Sequence, residues 1–413
     1  MATISGDRTL PRPLPAATTA PDIRGEHRFK QIAAWSLWYL LFQAILGLGW
    51  DIRWHSTFGR DTFWAPPHML MYSGIALAGF LCIGVVLRDT WRYYRHAPGV
   101  TDATTWPIFG YFRGPLGYAV TGCGMAVLLF AAPFDNWWHE LYGLDVTLWA
   151  PFHVMGLIGA FIAGSGMLYV FAALGARSRQ LGLNRRSVLG FSGPDWATLL
   201  TLSGLLTLLV TATQPATTIS PTLVIGPAHI LSFPLLLCAF FIPVLVVAIR
   251  VTERPGAATA VMALFFARQL FLAAIIPWLL RLTHQLDPSY AYRNGVPQFI
   301  LPLALAPIAF LPAALLLDLV ARQRHASAPA SALFTGRGWL LSGLLAALPL
   351  LAISPILIRS ARNARGQLPP GLIIPDLALR PAFLLAIPAS LLIALLAVRF
   401  GDEWGTILRL NDR

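Results

Sequence analysis

Charge is what this chain has least of. Only 12% of its 413 residues are Asp, Glu, Lys or Arg, against roughly 25% in an ordinary soluble protein, so a conventional water-soluble fold is excluded. Cysteine is almost absent. Cys82, Cys123 and Cys238 lie scattered within apolar runs, a spacing that excludes both a disulfide framework and a thiolate metal site. The seven methionines form no thioether track, which argues against copper passage through the membrane along such a ladder. Residues 1–30 have no apolar core, so they do not read as a cleaved secretory signal. Polar and proline-rich, they are expected to form a flexible cytoplasmic tail.

What the chain has in abundance is apolar sequence, 56% of the total. Ten runs approach the ~20 residues that cross a bilayer: 33–54, 66–88, 115–139, 151–175, 195–214, 226–250, 258–281, 298–320, 337–358 and 381–400. The expected fold class is an all-α polytopic membrane protein of about ten transmembrane helices, built from helical hairpins with an internal parallel repeat. Residues 31–180 would form a duplicated metal-binding region. Residues 190–413 would form a further six-helix membrane region whose role the sequence does not define.

Orientation follows from the basic residues. With the N-terminus inside, twenty-one of the thirty lysines and arginines fall on inner segments and eight on outer ones, with Arg268 inside a span. The positive-inside rule then places both termini in the cytoplasm of a multi-pass plasma-membrane protein. The formal net charge of +12 sits in short loops beside the spans. That placement fits anionic lipid headgroups and gives no reason to invoke nucleic acid.

Two turns carry the chemistry. Asp51 to His68 reads DIRWHSTFGRDTFWAPPH, and Asp135 to His153 reads DNWWHELYGLDVTLWAPFH. Aligned on their histidines, Asp51, Trp54, His55 and His68 match Asp135, Trp138, His139 and His153. Asp61 matches Asp145, and Trp64 matches Trp149. Residues four apart share a helix face, so Asp51/His55 and Asp135/His139 each present a carboxylate and an imidazole together. Each third ligand follows a proline that starts the returning helix. Two imidazoles and one carboxylate with open positions suit a transition metal, copper or non-haem iron. The bland alternative is solvated aspartates and interfacial histidines within aromatic belts, but packing alone does not explain a repeated Asp/His/His. Around these ligands, Trp54, Trp64, Trp138 and Trp149 are expected to wall the sites, with anchoring in the membrane's aromatic belt as the alternative. Asp61 and Asp145 would orient an imidazole N–H, Arg60 would pair with Asp61, and Glu140 is a further candidate ligand.

Other polar residues are weaker signals. Gly226-Pro227-Ala228-His229 echoes Ala150-Pro151-Phe152-His153 without the preceding ligand pair, so His229 is expected to be structural or to support a ligand. His284 lies in a polar turn, RLTHQLDPSYAYRNGVPQF, expected to be solvated, with a lid over the metal region as the alternative. Arg268 needs a partner or water at membrane depth, or anchors helix packing.

The string WH-x4-RDT-F followed by P-x-H resembles the metal motif of the C subunit in the particulate methane and ammonia monooxygenase family. Asp51, Trp54, His55, Arg60, Asp61, Thr62 and His68 carry the likeness. The second stretch is similar too, with His139 and His153 fourteen apart and the later one in Ala-Pro-x-His. Over roughly residues 30–175 the resemblance implies copper at both triads, oxygen activation and separate partner subunits. Asp135 stands where that family has asparagine. The expected function is a membrane metalloprotein with two copper-type Asp/His/His sites at the outer face, an oxygen-activating monooxygenase or a subunit of one. A non-catalytic copper-handling or transport protein is the alternative, and axial histidine ligation of haem a third reading. Partner subunits or a homo-oligomer are open expectations.

Overall fold

A computed structural model describes residues 20–59, 62–143, 150–183, 187–218, 222–325, 334–363 and 380–410. The chain is all-helical in its main elements. In order these are α1 (Ala20–Thr57), α2 (Pro66–Tyr94), α3 (Leu116–Tyr142), α4 (Pro151–Gln180), α5 (Gly193–Thr218), α6 (Ser232–Thr252), α7 (Ala257–Leu286), the short α8 (Leu301–Leu305), α9 (Leu311–His325), α10 (Arg337–Asn363) and α11 (Pro381–Leu410). A 3-10 turn, Ala306–Phe310, joins α8 to α9. Among the described residues, ten segments are long and apolar enough to cross a membrane, the eighth running from Ala306 to Arg324. This is a multi-pass membrane protein.

Among the described residues three antiparallel hairpins punctuate the connections: Trp106–Ile108 with Phe112–Gly114, Ser187–Val188 with Phe191–Ser192, and Thr222–Ile225 with Ala228–Leu231. The third departs from expectation. Apolar sequence from residue 226 suggests a helix, yet α6 starts at Ser232. Gly226 adopts a φ of 57° and opens a two-residue turn, while β-branched Thr222, Val224, Ile225 and Ile230 favour extended pairing. His229 pairs in register with Val224 and is exposed. It does not enter a helix as His153 does.

The start of α1 also differs from expectation. Residues 20–30, expected in a flexible tail, are helical, and the 38 residues of α1 extend for about 57 Å. Glu26 and Lys30 of this stretch are partnered, not solvated. Arg88 Nη2 and Nη1 donate to the Glu26 carboxylate at 2.7 and 3.0 Å, and Lys30 donates to Asp89. Arg88 also lies 3.8 Å over the Phe29 ring. These pairs clamp α1 to α2 at the end remote from the ligand turns. Asp89 is only 1% exposed, so Asp89→Ala removes the closer carboxylate paired with Lys30 and leaves it only Glu26, at 3.8 Å. It is expected to cost about 3–5 kcal/mol, read as a lower thermal midpoint in detergent.

Close helix packing positions both ligand turns. In α3 and α4, a Cβ at Gly124 would come within 2.5 Å of the Ala163 nitrogen, and one at Gly166 within 2.4 Å of the Thr121 nitrogen. Only glycine permits that approach, as small residues do at membrane-helix contacts generally. Thr121 Oγ1 then donates to the Ala163 carbonyl at 3.2 Å across the seam. Between α1 and α2, Gly74 lies under the Leu40 carbonyl, where a Cβ would stand at 2.9 Å.

The later helices pack against the first four. The largest buried apolar cluster joins α5, α6, α7, α9, α10 and α11, while a second holds α1 to α4 together with Ala197 of α5. Asp318 of α9 accepts hydrogen bonds from the Ala258 and Thr259 amides at 3.2 and 2.8 Å. It caps the start of α7 from a neighbouring helix and fixes α7 against α9.

Candidate metal centre

Each of the two turns brings its three expected ligands together. Asp51 and His55 occupy the last turns of α1, and His68 the third position of α2, after Pro66 and Pro67. Asp135 and His139 close α3, and His153 is third in α4, after Pro151. Ala65 and Ala150 precede the returning helices with nearly identical backbone angles, φ/ψ of −58°/147° and −59°/146°. A proline at the first helical position fixes this entry, so both third ligands approach from the same local geometry.

The distances suit a shared cation. His68 Nε2 lies 3.1 Å and His55 Nε2 3.7 Å from Asp51 Oδ1. His139 Nε2 lies 3.4 Å from Asp135 Oδ2, and His153 Nε2 lies 3.3 Å from its Oδ1. Ligand atoms that share one ion at ~2.1 Å can stand at most ~4.2 Å apart. Among the described residues, only Asp135, His139 and His153 hold all their ligand atoms within 4.8 Å of one another. The first trio, with both imidazoles turned to one oxygen of Asp51, is wider as a set.

The ring orientations carry the chemical argument. His68 Nδ1 stands 3.1 Å from the Thr62 carbonyl, and His139 Nδ1 stands 3.2 Å from the Gly143 carbonyl. A carbonyl only accepts, so Nδ1 bears a proton, and in the neutral ring it is the Nε2 lone pair that faces the carboxylate. A cation between that lone pair and the carboxylate oxygen, a metal ion or a proton on Nε2, removes their repulsion. A backbone carbonyl on the other ring nitrogen is also how metal-binding histidines are generally held. Asp135 Oδ1 is sealed from solvent and accepts no hydrogen bond, as a ligand atom reserved for an ion would be. The residues present therefore fit a metal.

Both trios face one space. A cavity of about 580 Å3 is lined by Asp51, His55, His68, Asp135, His139 and His153 together. Its volume is in the range of small-molecule sites, and the remaining wall is mostly apolar. α5 contributes Leu200 to Leu208, and α7 contributes Arg268. The later helices thus complete the wall that the hairpins begin.

Several supporting residues stand elsewhere than expected. Trp54 is fully buried, packed edge-on to Trp50, Phe58 and Tyr290, and does not line the cavity. Trp138 packs on Tyr142 and Phe152 and does not line it either, and neither does the exposed Trp64. Glu140 is exposed and accepts from Asn136 Nδ2 at 2.9 Å, so it is turned to its own helix and not to the metal trio. His229 is on the exposed hairpin, away from the cavity lining. Arg60, Asp61, Asp145 and Trp149 lie outside the described residues.

The turn after α7 is more than solvated. His284 Nδ1 is 2.8 Å from the Tyr290 carbonyl, with its ring against Tyr292. The Arg293 amide donates to the Thr57 carbonyl at 2.8 Å, and Asn294 donates to Ser56. The loop is pinned over the end of α1 that bears Asp51 and His55. Sequence reading also missed Tyr72, one helical turn after His68. Its ring stacks at 5.4 Å on that imidazole and lines the cavity; the i, i+4 spacing was the available signal. No protein-family model, curated protein or solved structure matches this chain.

Proposed function

We propose that this protein is a plasma-membrane copper protein, with both termini in the cytoplasm, that uses two Asp/His/His sites at the outer face to hydroxylate an apolar carbon. The observation that carries the reading is the opening of two cation-demanding trios into a single apolar cavity. The matched entry of His68 and His153 supports treating the sites as a duplicated pair. The likeness of Asp51 to His68 to the monooxygenase C subunit supports copper over non-haem iron.

Asp51, His55 and His68 would hold one ion, and Asp135, His139 and His153 the other. Bound copper supplies dioxygen activation. The carbonyls of Thr62 and Gly143 keep two imidazoles turned toward the ion, so no side-chain search precedes binding. The apolar wall admits a hydrocarbon and excludes bulk water. In the overall reaction one oxygen atom enters a C–H bond and the other leaves as water. Two electrons and two protons come from an external reductant.

Metal analysis of protein purified without added metal tests the reading. About two equivalents of copper per chain are expected from two three-ligand sites, with reductant- and oxygen-dependent hydroxylation. Copper retained without any oxygen chemistry would instead establish the copper-handling reading. Negligible copper and iron, or a haem Soret band, would overturn the proposal.

A further inference from the structure

Arg268 lies within the span formed by α7, yet it is 7% exposed and faces the cavity. Its Nη2 donates to the Leu200 carbonyl at 3.1 Å, and its guanidinium lies 5.8 Å over the Phe42 ring. It reaches that position because Gly204 has no side chain; a Cβ there would stand 2.5 Å from Nη1. Among the described residues no carboxylate pairs with it. A guanidinium offers five N–H donors in a planar fork, and the Leu200 carbonyl takes only one of them. A charge at membrane depth is paired or marks a ligand path.

The cavity's shape narrows the ligand. Its lining follows α1 from Trp38 to Ser56, about 27 Å of helix. Arg268 is at the level of Phe42, nine residues before Asp51, so about 13 Å of axis separates cation from metal ligands. About 580 Å3 drawn out over that length is a slot. Between its ends the wall is aliphatic and aromatic, including Ile45, Leu48, Met71 and Leu128.

We infer that the cavity binds a single-chain alkyl carboxylate, its carboxylate held by the guanidinium of Arg268 and its chain running along α1 toward the two trios. A planar guanidinium pairs bidentately with a carboxylate. Extended, a chain advances ~1.2 Å per bond, so about ten carbons reach ~11 Å, and the ~2.8 Å hydrogen bond to the guanidinium completes the distance. Binding itself does not depend on the metal reading. Oxidation of the distal carbon does, since the carbon brought to the trios is the end of the chain far from the acid.

Radiolabelled decanoate and 1-decanol binding to the full chain in lipid nanodiscs, with empty discs subtracted, tests this after removal of metal by chelation. Decanoate is expected to bind saturably at one site, at least about tenfold more tightly than decanol. Arg268→Gln should weaken decanoate to the level of decanol while leaving decanol unchanged. Equal affinity for the two ligands in the unaltered protein would overturn the inference, and that comparison needs no folded variant. So would decanoate binding that survives Arg268→Gln, or competition by acetate or chloride as strong as by decanoate, which would mark a small-anion site only. Decanoate binding by a protein that purifies without copper or iron would sink the metal reading and leave this one standing. Two equivalents of copper with no preference for decanoate would do the reverse.

Discussion

Replacing Asp135 by alanine is expected to lower bound copper from two equivalents per chain to one, with the helical content unchanged. Both histidines of the second trio turn Nε2 to this carboxylate, at 3.4 and 3.3 Å, and no other acid belongs to that trio among the described residues. Alanine removes the trio's carboxylate and with it the negative charge that would balance an ion held there. Loss of a residue that merely orients a ligand lowers metal affinity by roughly 10–100-fold, and loss of a ligand itself should exceed that. Asp51→Ala should remove the other equivalent in the same way, and the double variant should retain none. Elemental analysis, paired with competition against a chromophoric copper chelator, reads stoichiometry and affinity separately. Two equivalents retained by Asp135→Ala would remove this trio from the reading. Asp135→Asn keeps an oxygen in place without its charge, so it should hold the ion more weakly than the native protein and more tightly than alanine.

The second large effect concerns a residue that touches no ligand. Gly166→Val places a branched side chain where even a Cβ would come within 2.4 Å of the Thr121 nitrogen. The obstructing atoms are helix backbone, so no rotamer change relieves the clash and α3 must move from α4. Overpacking of an interior commonly costs about 1–3 kcal/mol, and a backbone clash belongs at or above the upper end. Asp135 and His139 end α3 while His153 begins α4, so spreading the pair separates the second trio. A variant that still inserts should therefore lose one copper equivalent as well as thermal stability, whereas Gly84→Val, where a Cβ meets nothing within 4 Å, should change neither. A Gly166→Val protein with normal midpoint and normal copper would show that the seam does not hold the site.

Much of the site was legible because its information is local. Asp-x3-His at a helix end, and a proline two residues before the next histidine, depend on spacings within about one helical turn. Such spacings survive any arrangement of the remaining helices. The failures have the opposite character. Trp54 reads as a wall of the site from its place beside His55, but its neighbours are Phe58 and, from a distant loop, Tyr290. Glu140 reads as a ligand from its place beside His139, yet it lies on another face of α3. Residues 20–30 read as tail because they are polar. Their partners, Arg88 and Asp89, lie some sixty positions away.

The amino-acid sequence by itself determined the number of membrane-length helices and the composition of the two ligand turns, since hydropathy and helical spacing act over short stretches of chain. Tertiary structure alone decided that both turns open into one slot, that α5 and α7 complete it, and that Arg268 faces its interior. The physical reason is that a cavity is the space left by helices packed from distant parts of the chain. Its walls depend on close approaches, such as those at Gly124, Gly166 and Gly204, that no single stretch encodes.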